Sequence, residues 1–198
     1  TDEGVEIASS EELGRRLAIN PEQIRKDLAF FGQFGKKGVG YYVAELKESI
    51  GGILGLDNHW NVAIIGMGHL GAALANYQGI ARLGFRLAAI FDANPVVIGT
   101  RVGERRVEDI AYLAEIIAER DIQIGVIAVP AAHAQGVADQ LVAAGIRGIW
   151  NFAPVKLQVP PSIPFVSEDL SVGLSALSYY LTHASAEDGE LSDKNLTD

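Results

Sequence analysis

Residues 61–77 read NVAIIGMGHLGAALANY, and this stretch decides the fold of most of the chain. The apolar run 62–65 predicts a strand that is buried on both faces. Gly66, Gly68 and Gly71 follow it as G-x-G-x-x-G, directly before a predicted helix. In such a turn the first glycine makes the bend, the second lets the backbone approach a pyrophosphate, and the third lets helix and strand pack closely. The stretch therefore predicts a dinucleotide-binding turn.

A second apolar strand, FRLAAIFD, ends in Asp92, which lies 21 residues after Gly71. A carboxylate at this place accepts hydrogen bonds from the adenosine ribose hydroxyls, and it would repel a 2′-phosphate. The pattern therefore favours NAD(H) over NADP(H). A glycine-rich turn in another α/β domain, such as one that binds coenzyme A, stays open as an alternative.

Apolar strands and helices continue to alternate after Asp92, which predicts an α/β fold with a doubly wound parallel sheet. The predicted helices cover 107–120 and 131–145, the predicted strands cover 124–130, 146–154 and residues around 163–166, and an amphipathic helix covers 169–181. Ligands of such sheets bind beyond the carboxyl ends of the strands. These ends are predicted at 66–71, Asp92, Val129–Pro130 and Asn151–Phe152.

The sequence shows no arrangement of residues that would catalyse a reaction. The four histidines do not have metal-ligand spacing, and neither a Ser/His/Asp arrangement nor a Tyr-x-x-x-Lys pair is present. The predicted sheet occupies residues 61–167 and leaves one helix, so no second domain remains to position a substrate. We therefore expect a chain that binds a dinucleotide without turning it over, and that is not an enzyme.

The N-terminal residues predict two short helices joined by a tight turn. Ser9 and Glu12 form a capping box for a helix over 9–17, and Asn20 with Pro21 begins a helix over 21–31. Ile24, Leu28 and Phe31 are predicted to face inward, which is the layout of a helix-turn-helix. The alternative interpretation of residues 9–31 is a helical hairpin with a solvated charged face.

The glycine-rich segment GQFGKKGVGYY at 32–42 predicts a short hairpin with Lys36 and Lys37 at its tip. A helix-turn-helix followed by a basic hairpin is a winged helix, whose wing contacts the phosphate backbone or the minor groove of DNA. The net charge of the chain is −9, but residues 25–37 carry four basic side chains against one acidic, a net +3. Residues 187–198 carry one basic side chain against five acidic, a net −4, and predict a flexible tail.

Composition limits the cellular context. The chain has 198 residues, 48% hydrophobic and 21% charged, and therefore predicts a folded core. It contains no cysteine, which fits a reducing compartment. No apolar run approaches the ~20 residues of a membrane span. We expect a cytoplasmic protein with neither a metal nor a membrane partner.

Over roughly residues 5–181, the sequence resembles the Rex family of bacterial redox-sensing transcriptional repressors. The motifs that carry the resemblance are SSEELGRRLAINPEQIRKDLAFFGQFGKKGVGY, VAIIGMGHLGAALANY, LVAAGIRGIWNFAPVKLQVP and DLSVGLSALSYYL. The resemblance implies a homodimer that binds a double-stranded, A·T-rich palindromic operator when apo or NAD⁺-bound, and that releases it on binding NADH. It also implies that the helix 169–181 is exchanged between subunits. An NAD-dependent oxidoreductase with an N-terminal helical extension is the alternative function.

The resemblance assigns site residues. The residues expected to bind NADH or NAD⁺ are Gly66, Met67, Gly68, His69, Leu70, Gly71, Tyr77, Asp92, Val129, Pro130, Asn151, Phe152 and Asp169. Tyr77 and Asp169 match a pair whose contact forms in the NADH-bound state. The residues expected to bind DNA are Ser10, Gln23, Arg25, Lys26, Lys36, Lys37 and Gly38.

The expected organisation has four parts. They are a winged-helix DNA-binding domain over 1–56, a Rossmann NAD(H)-binding domain over 57–167, a C-terminal exchanged helix over 168–182 and an acidic flexible tail over 183–198. The sequence departs from the family in two places. It starts too late to contain the additional first helix of family members, and it has Lys36-Lys37 where an arginine is common.

Overall fold

The computed structural model describes residues 4–36, 38–56 and 58–193. The chain divides into two compact units, residues 1–59 and residues 60–198, called here the N-terminal unit and the sheet unit. No helix of the described residues is long and apolar enough to cross a membrane.

Within its described residues, the N-terminal unit has two strands and three helices. They are β1 (Ile7–Ala8), α1 (Ser10–Leu17), α2 (Pro21–Phe31), β2 (Tyr41–Tyr42) and α3 (Val43–Ile53). The side chain of Ser9 accepts a hydrogen bond from the amide of Glu12 at 3.1 Å, and that of Asn20 accepts one from the amide of Glu22 at 2.8 Å. These N-caps and the left-handed Ala18 between the helices confirm the predicted helix-turn-helix layout.

The segment after α2 differs from its prediction. The hairpin consists of a single bridge between Lys36 and Gly40, and β2 pairs instead with β1 in antiparallel register. A side chain at Gly35 would place its Cβ 2.5 Å from the carbonyl oxygen of Gly40, so this tight turn requires glycine. Phe31, which was predicted to face inward, is 57% exposed. That prediction was wrong: Phe31 is the last residue of α2, and the buried residue of this helix is Ile24, in its first half.

The sheet unit alternates strands and helices. Its elements are β3 (Trp60–Ile65), α4 (His69–Ala75), α5 (Gln78–Arg82), β4 (Phe85–Asp92), β5 (Arg101–Val102), β6 (Arg105–Asp109), a 3₁₀ turn (Ile110–Tyr112), α6 (Leu113–Glu119), β7 (Ile124–Ile127), α7 (Ala131–Ala143), β8 (Gly148–Asn151), β9 (Phe165–Ser167) and α8 (Leu170–Asp193).

Seven strands form one sheet in the order β5-β6-β4-β3-β7-β8-β9. All neighbouring pairs are parallel except β5 with β6. Without β5, the order in chain sequence is 3-2-1-4-5-6, which is the order of a Rossmann domain. The predicted doubly wound parallel sheet is therefore confirmed, and its topological switch point lies between β3 and β7.

The two faces of this sheet bury separate apolar clusters. Along β3, Ala63 and Ile65 belong to one cluster, whereas Val62 and Ile64 belong to the other. This alternation follows from the two-residue period of a strand, and it requires an unbroken apolar sequence because both faces are covered.

Two boundaries of the sheet unit differ from the sequence-based expectation. Residues 107–120 were predicted as one helix, but Val107 is 2% exposed in β6 and pairs with Ile90. That prediction was wrong because the spacing of Val107, Ile110 and Leu113 also fits one helical face. Helix α8 continues to Asp193, into residues expected to form a flexible tail. Alanine, glutamate and leucine in this part favour a helix. Residues 194–198 lie outside the described residues.

Candidate functional site

The three glycines after β3 occupy positions with different physical demands. Gly66 has φ +101° and donates from its amide to the carbonyl of Phe91 at 2.8 Å. A Cβ on Gly71 would collide with the carbonyl oxygen of Gly66. A Cβ on Gly68 would meet nothing within 4 Å. The first glycine therefore bends the chain, the third brings α4 against the turn, and the second borders open space that a ligand could fill.

Asp92, at the end of β4, holds this turn in place. One oxygen of its carboxylate accepts a hydrogen bond from the amide of Met67 at 2.6 Å. The other accepts one from the amide of Asn94 at 2.8 Å. The carboxylate is thus fixed next to the glycine turn, where its remaining lone pairs can accept hydrogen bonds from a ribose diol.

A cavity of about 760 Å³ opens beyond the carboxyl ends of β3, β4 and β7. This volume lies within the roughly 300–1,000 Å³ usual for ligand sites. Six of the residues predicted to bind the cofactor line it, namely Gly66, Met67, Gly68, Asp92, Val129 and Pro130. The structure places them together at the switch point of the sheet, where ligands of such folds bind.

The cavity also has polar lining residues that the sequence argument did not identify. They include Asn94 after β4 and His133 and Gln140 on α7. His133 is both exposed and part of the cavity wall. The spacing of His133, Gly136 and Gln140 on one face of α7 is the signal that could have identified this wall.

The side chain of Asn151 holds the loop after β8 through hydrogen bonds. Its side chain is fully buried and donates to the carbonyl of Ala153 at 3.0 Å, the carbonyl of Val155 at 3.3 Å and the hydroxyl of Ser167 at 3.0 Å. Its oxygen accepts from the amide of Ala153 at 3.0 Å. Asn151 therefore closes the loop after β8, and its expected contact with a cofactor stays a prediction. Phe152 packs on Trp150, with ring centroids 4.6 Å apart.

The other predicted cofactor residues do not line the cavity. His69 and Leu70 lie in the first turn of α4, with His69 exposed. Tyr77 is 64% exposed. Asp169 is exposed, and hydrogen bonds from the hydroxyl and amide of Ser171 hold the pKa of its carboxyl below the ordinary value. Among the hydrogen bonds of the described residues, none joins Tyr77 to Asp169.

The described residues hold no group of three or more histidine, aspartate or glutamate side chains that could bind a metal ion. The polar atoms around the cavity are instead backbone amides, one carboxylate, and amide and imidazole side chains. Such a set suits the hydroxyl and phosphate groups of a nucleotide.

A second concave surface lies in the N-terminal unit, between α1, α2 and the turn 36–40. It has a volume of about 430 Å³. Four residues predicted to bind DNA line it, namely Ser10, Arg25, Lys36 and Gly38. The ammonium group of Lys36 lies 5.2 Å from the centroid of the Tyr42 ring. The helix pair and the glycine-rich turn thus bring two cations to one concave surface.

Two further predicted DNA contacts lie on the exposed face of α2. Lys26 pairs with Glu22 at 2.9 Å, and Gln23 donates to Asp27 at 2.6 Å. Exposed pairs of this kind contribute about 1 kcal/mol or less, so a phosphate can replace the carboxylate partner of Lys26. Lys37 lies outside the described residues.

Comparison with known proteins matches both units. A model described as "CoA binding domain" matches residues 57–155, and one described as "Putative DNA-binding protein N-terminus" matches residues 1–29. A protein of Chloroflexus aurantiacus named "Redox-sensing transcriptional repressor Rex" is 47% identical over 91% of this chain and 85% of its own length. The "Redox-sensing transcriptional repressor Rex 1" of Thermotoga maritima is 48% identical over 90% of this chain and 85% of its own length.

The chain is also similar in structure to a solved Rex-family repressor. A crystal structure of a protein called RSP in complex with β-NAD⁺ and operator DNA has a TM-score of 0.88 and 40% identity, and the match covers 98% of this chain and 89% of RSP. RSP in complex with β-NADH has a TM-score of 0.86 and 39% identity, over 95% of this chain and 88% of RSP. A third structure describes RSP as a Rex-family repressor, with a TM-score of 0.87 and 39% identity over 95% of this chain and 88% of RSP.

Proposed function

The chain belongs to the Rex family of redox-sensing transcriptional repressors, and we propose that it binds operator DNA when apo or NAD⁺-bound and releases it on binding NADH. The observation that carries this proposal is the likeness, over 98% of the chain, to a repressor solved with both β-NAD⁺ and operator DNA. The relatives are named as repressors, not enzymes, which favours this function over the alternative of an oxidoreductase.

The sheet unit fits the cofactor. The open space at Gly68 leaves room for a pyrophosphate against the backbone, and the carboxylate of Asp92 is positioned for the adenosine ribose. NADH and NAD⁺ differ in charge and planarity at the nicotinamide ring. NADH can release DNA only if it binds one arrangement of the protein more tightly than another, because a ligand with equal affinity for both arrangements shifts no equilibrium. We assign the cofactor to the cavity at the carboxyl ends of β3, β4 and β7.

The N-terminal unit supplies the DNA contacts in this proposal. The second helix of a helix-turn-helix enters the major groove, which assigns base and phosphate contacts to Arg25, Lys26 and Gln23 on α2. Ser10, Lys36, Lys37 and Gly38 are assigned to the flanking backbone. Charged donors there supply salt-dependent affinity, because each neutralised phosphate releases condensed counterions.

The proposal includes a homodimer in the cytoplasm, with α8 exchanged between subunits. Helix α8 exposes a long apolar surface, comprising Leu170, Val172, Leu174, Leu177, Tyr179, Tyr180 and Leu181. Exposed apolar surface of this extent is typical of an interface. The contact of Tyr77 with Asp169 in the NADH-bound dimer belongs to the same proposal. So do the domain boundaries 1–56, 57–167, 168–182 and 183–198.

A fluorescence anisotropy titration tests the function. The full chain is added to a labelled, A·T-rich palindromic duplex, and NADH or NAD⁺ is then titrated into the complex. We expect NADH to release the duplex and NAD⁺ to leave it bound. Binding of NADH without any binding of the duplex would contradict the proposed function.

The salt dependence of the same titration tests the contacts. Lys26→Ala should reduce the slope of log K against log[salt] by about 0.9, since one phosphate contact is lost. Lys47→Ala, at an exposed position of α3, is the matched control and should leave the slope unchanged. Equal slopes for both variants would show that Lys26 does not contact a phosphate of the DNA.

A further inference from the structure

Arg25 is not a free cation, because the first turn of α1 holds one nitrogen of its guanidinium. Its Nη1 donates to the hydroxyl of Ser10 at 2.7 Å and to Oε1 of Glu11 at 3.2 Å. The hydroxyl of Ser10 in turn donates to Oε2 of Glu11 at 3.3 Å. The three side chains form a closed ring of hydrogen bonds that links the two helices of the helix-turn-helix. We call this ring the Arg25 clamp.

The clamp engages Nη1 of the guanidinium and leaves the N–H groups of Nε and Nη2 for another acceptor. A guanidinium has five N–H donors, and Nη1 supplies two of them. The other three, on Nε and Nη2, form a planar edge that matches a bidentate acceptor. Within residues 4–36, 38–56 and 58–193, these two nitrogens form no hydrogen bond. The side chain of Arg25 is 50% exposed and borders the concave surface shared with Lys36.

The position of Glu11 requires an explanation, because a carboxylate on a DNA-binding face opposes the attraction to phosphate. Hydrogen bonds from its own backbone amide and from Ser9 hold the pKa of Glu11 below the ordinary value. Glu11 therefore stays charged under the conditions in which repressors bind DNA. The charge of Glu11 reduces the affinity for DNA, but it fixes the direction of the Arg25 side chain and thereby favours specificity for a base sequence.

We propose that Ser10 and Glu11 position Arg25 so that its Nε–Nη2 edge reads a base edge in the major groove and does not move to a phosphate. Arginine bound through two N–H groups to O6 and N7 of guanine is the commonest specific contact in that groove. Without the clamp the long side chain can reach a phosphate, which carries no sequence information. The inference rests on the proposed DNA-binding function and adds a determinant of its specificity.

Selection from a library of randomised duplexes tests the proposal. The full-length wild-type chain and three variants, Arg25→Ala, Glu11→Ala and Glu12→Ala, each select duplexes, and sequencing gives the base preference at every position. Glu12 is the matched control. It lies in the same turn, carries the same charge, and pairs with Arg16 at 3.2 Å.

We expect Arg25→Ala to abolish the preference at one symmetry-related pair of positions. Glu11→Ala should reduce the preference at the same positions by about fivefold or more, within the roughly 5- to 150-fold discrimination of one bidentate contact. Glu12→Ala should change it less than about twofold. Glu11→Ala should also bind non-specific duplex more tightly than the wild type does.

Three results would overturn the proposal. In the first, Glu11→Ala and Glu12→Ala lower the preference equally, so that only general charge matters. In the second, Glu11→Ala strengthens binding with an unchanged profile. In the third, the wild type enriches no sequence, which would reject the proposed function itself. Thermal unfolding checks that each variant is folded, and Glu11→Gln, which keeps the size of the side chain, replaces Glu11→Ala if the latter unfolds.

Discussion

The two units of the chain differ in how much apolar side chain they bury. In the sheet unit, Phe91, Ile65 and Ile127 are completely buried in the cluster on one face of the sheet, and Ile64 is 1% exposed in the cluster on the other face. Among the described residues of the N-terminal unit, the buried apolar ones are Ala8, Ile24 and Tyr41. The larger exposed apolar residues of that unit include Leu17, Ile19, Phe30, Phe31, Ile53 and Leu54.

This difference shows that the two units reach their structures by different means. The sheet unit has a close-packed core, which keeps the glycine turn and Asp92 in fixed positions for a ligand. In the N-terminal unit, caps, tight turns and hydrogen bonds between side chains determine the local structure. Removing buried volume should therefore affect the sheet unit most, whereas removing single polar contacts should affect the N-terminal unit most.

The largest expected effect is that of Phe91→Ala. Deleting a fully buried aromatic ring should lower the free energy of unfolding by about 3–5 kcal/mol. The same deletion at Phe30, which is 85% exposed, should change it by less than about 1 kcal/mol. Urea unfolding of the full chain, followed by circular dichroism, measures both. Similar losses for the two variants would show that the N-terminal unit has a core comparable to that of the sheet unit.

Gly71→Ala should lower the free energy of unfolding by about 3 kcal/mol, because its Cβ would collide with the carbonyl oxygen of Gly66. It should also weaken NADH binding, since the collision moves the turn that borders the cavity. Gly148→Ala is the matched control, as its Cβ would meet the nearest atom at 3.8 Å. Thermal unfolding and NADH titration would contradict the prediction if the two variants behave alike.

Asp92→Asn should weaken binding of both NADH and NAD⁺ by about tenfold, or about 1.4 kcal/mol. Asparagine loses the charge, and its amide nitrogen cannot accept from the backbone amides of Met67 and Asn94. Isothermal titration calorimetry measures the change. Asp139→Asn removes a charge from α7 outside the cavity and should leave both affinities unchanged. If the affinities for Asp92→Asn also do not change, Asp92 is not the ribose acid.

The smallest expected effect is that of Ser9→Ala, which removes the N-cap of α1. The loss should be about 1 kcal/mol of stability, confined to the N-terminal unit. Ser49→Ala serves as the control, because the hydroxyl of Ser49 only donates to the carbonyl of Glu45 within α3. Hydrogen exchange of the amides in α1 and α3 measures the two losses separately. Equal protection in α1 for wild type and Ser9→Ala would show that the cap is dispensable.

Much of the fold could be predicted from residues 9–31 and 61–151. The Ser9 and Asn20 caps define the starts of two helices within a few residues of sequence. The unbroken apolar runs at 62–65 and 124–127 predict strands covered on both faces, and therefore a parallel sheet. Six of the residues predicted to bind the cofactor lie together in the cavity, because the carboxyl ends of parallel strands meet at one edge of the sheet.

What could not be predicted depends on contacts that no local sequence pattern shows. The pairing of Ile7 with Tyr42 joins strands of two residues each, too short to show a period. The 0% exposure of Asn151 and its four hydrogen bonds follow from how the loop after β8 closes on itself and on Ser167. Its place at a strand end predicts a ligand contact, but the sequence alone does not show that the side chain is buried.

The sequence by itself determined the helix pair near the N-terminus, the glycine turn, the acid at the end of β4 and the family. Each of these is a local pattern in which neighbouring residues carry the physical requirement. Only the tertiary structure decided that His133 and Gln140 line the cavity, that Val107 lies in a strand, and that Ser10 and Glu11 hold Arg25. Burial, strand pairing and side-chain hydrogen bonds join residues that lie far apart in the chain, and a local pattern contains no information about that proximity.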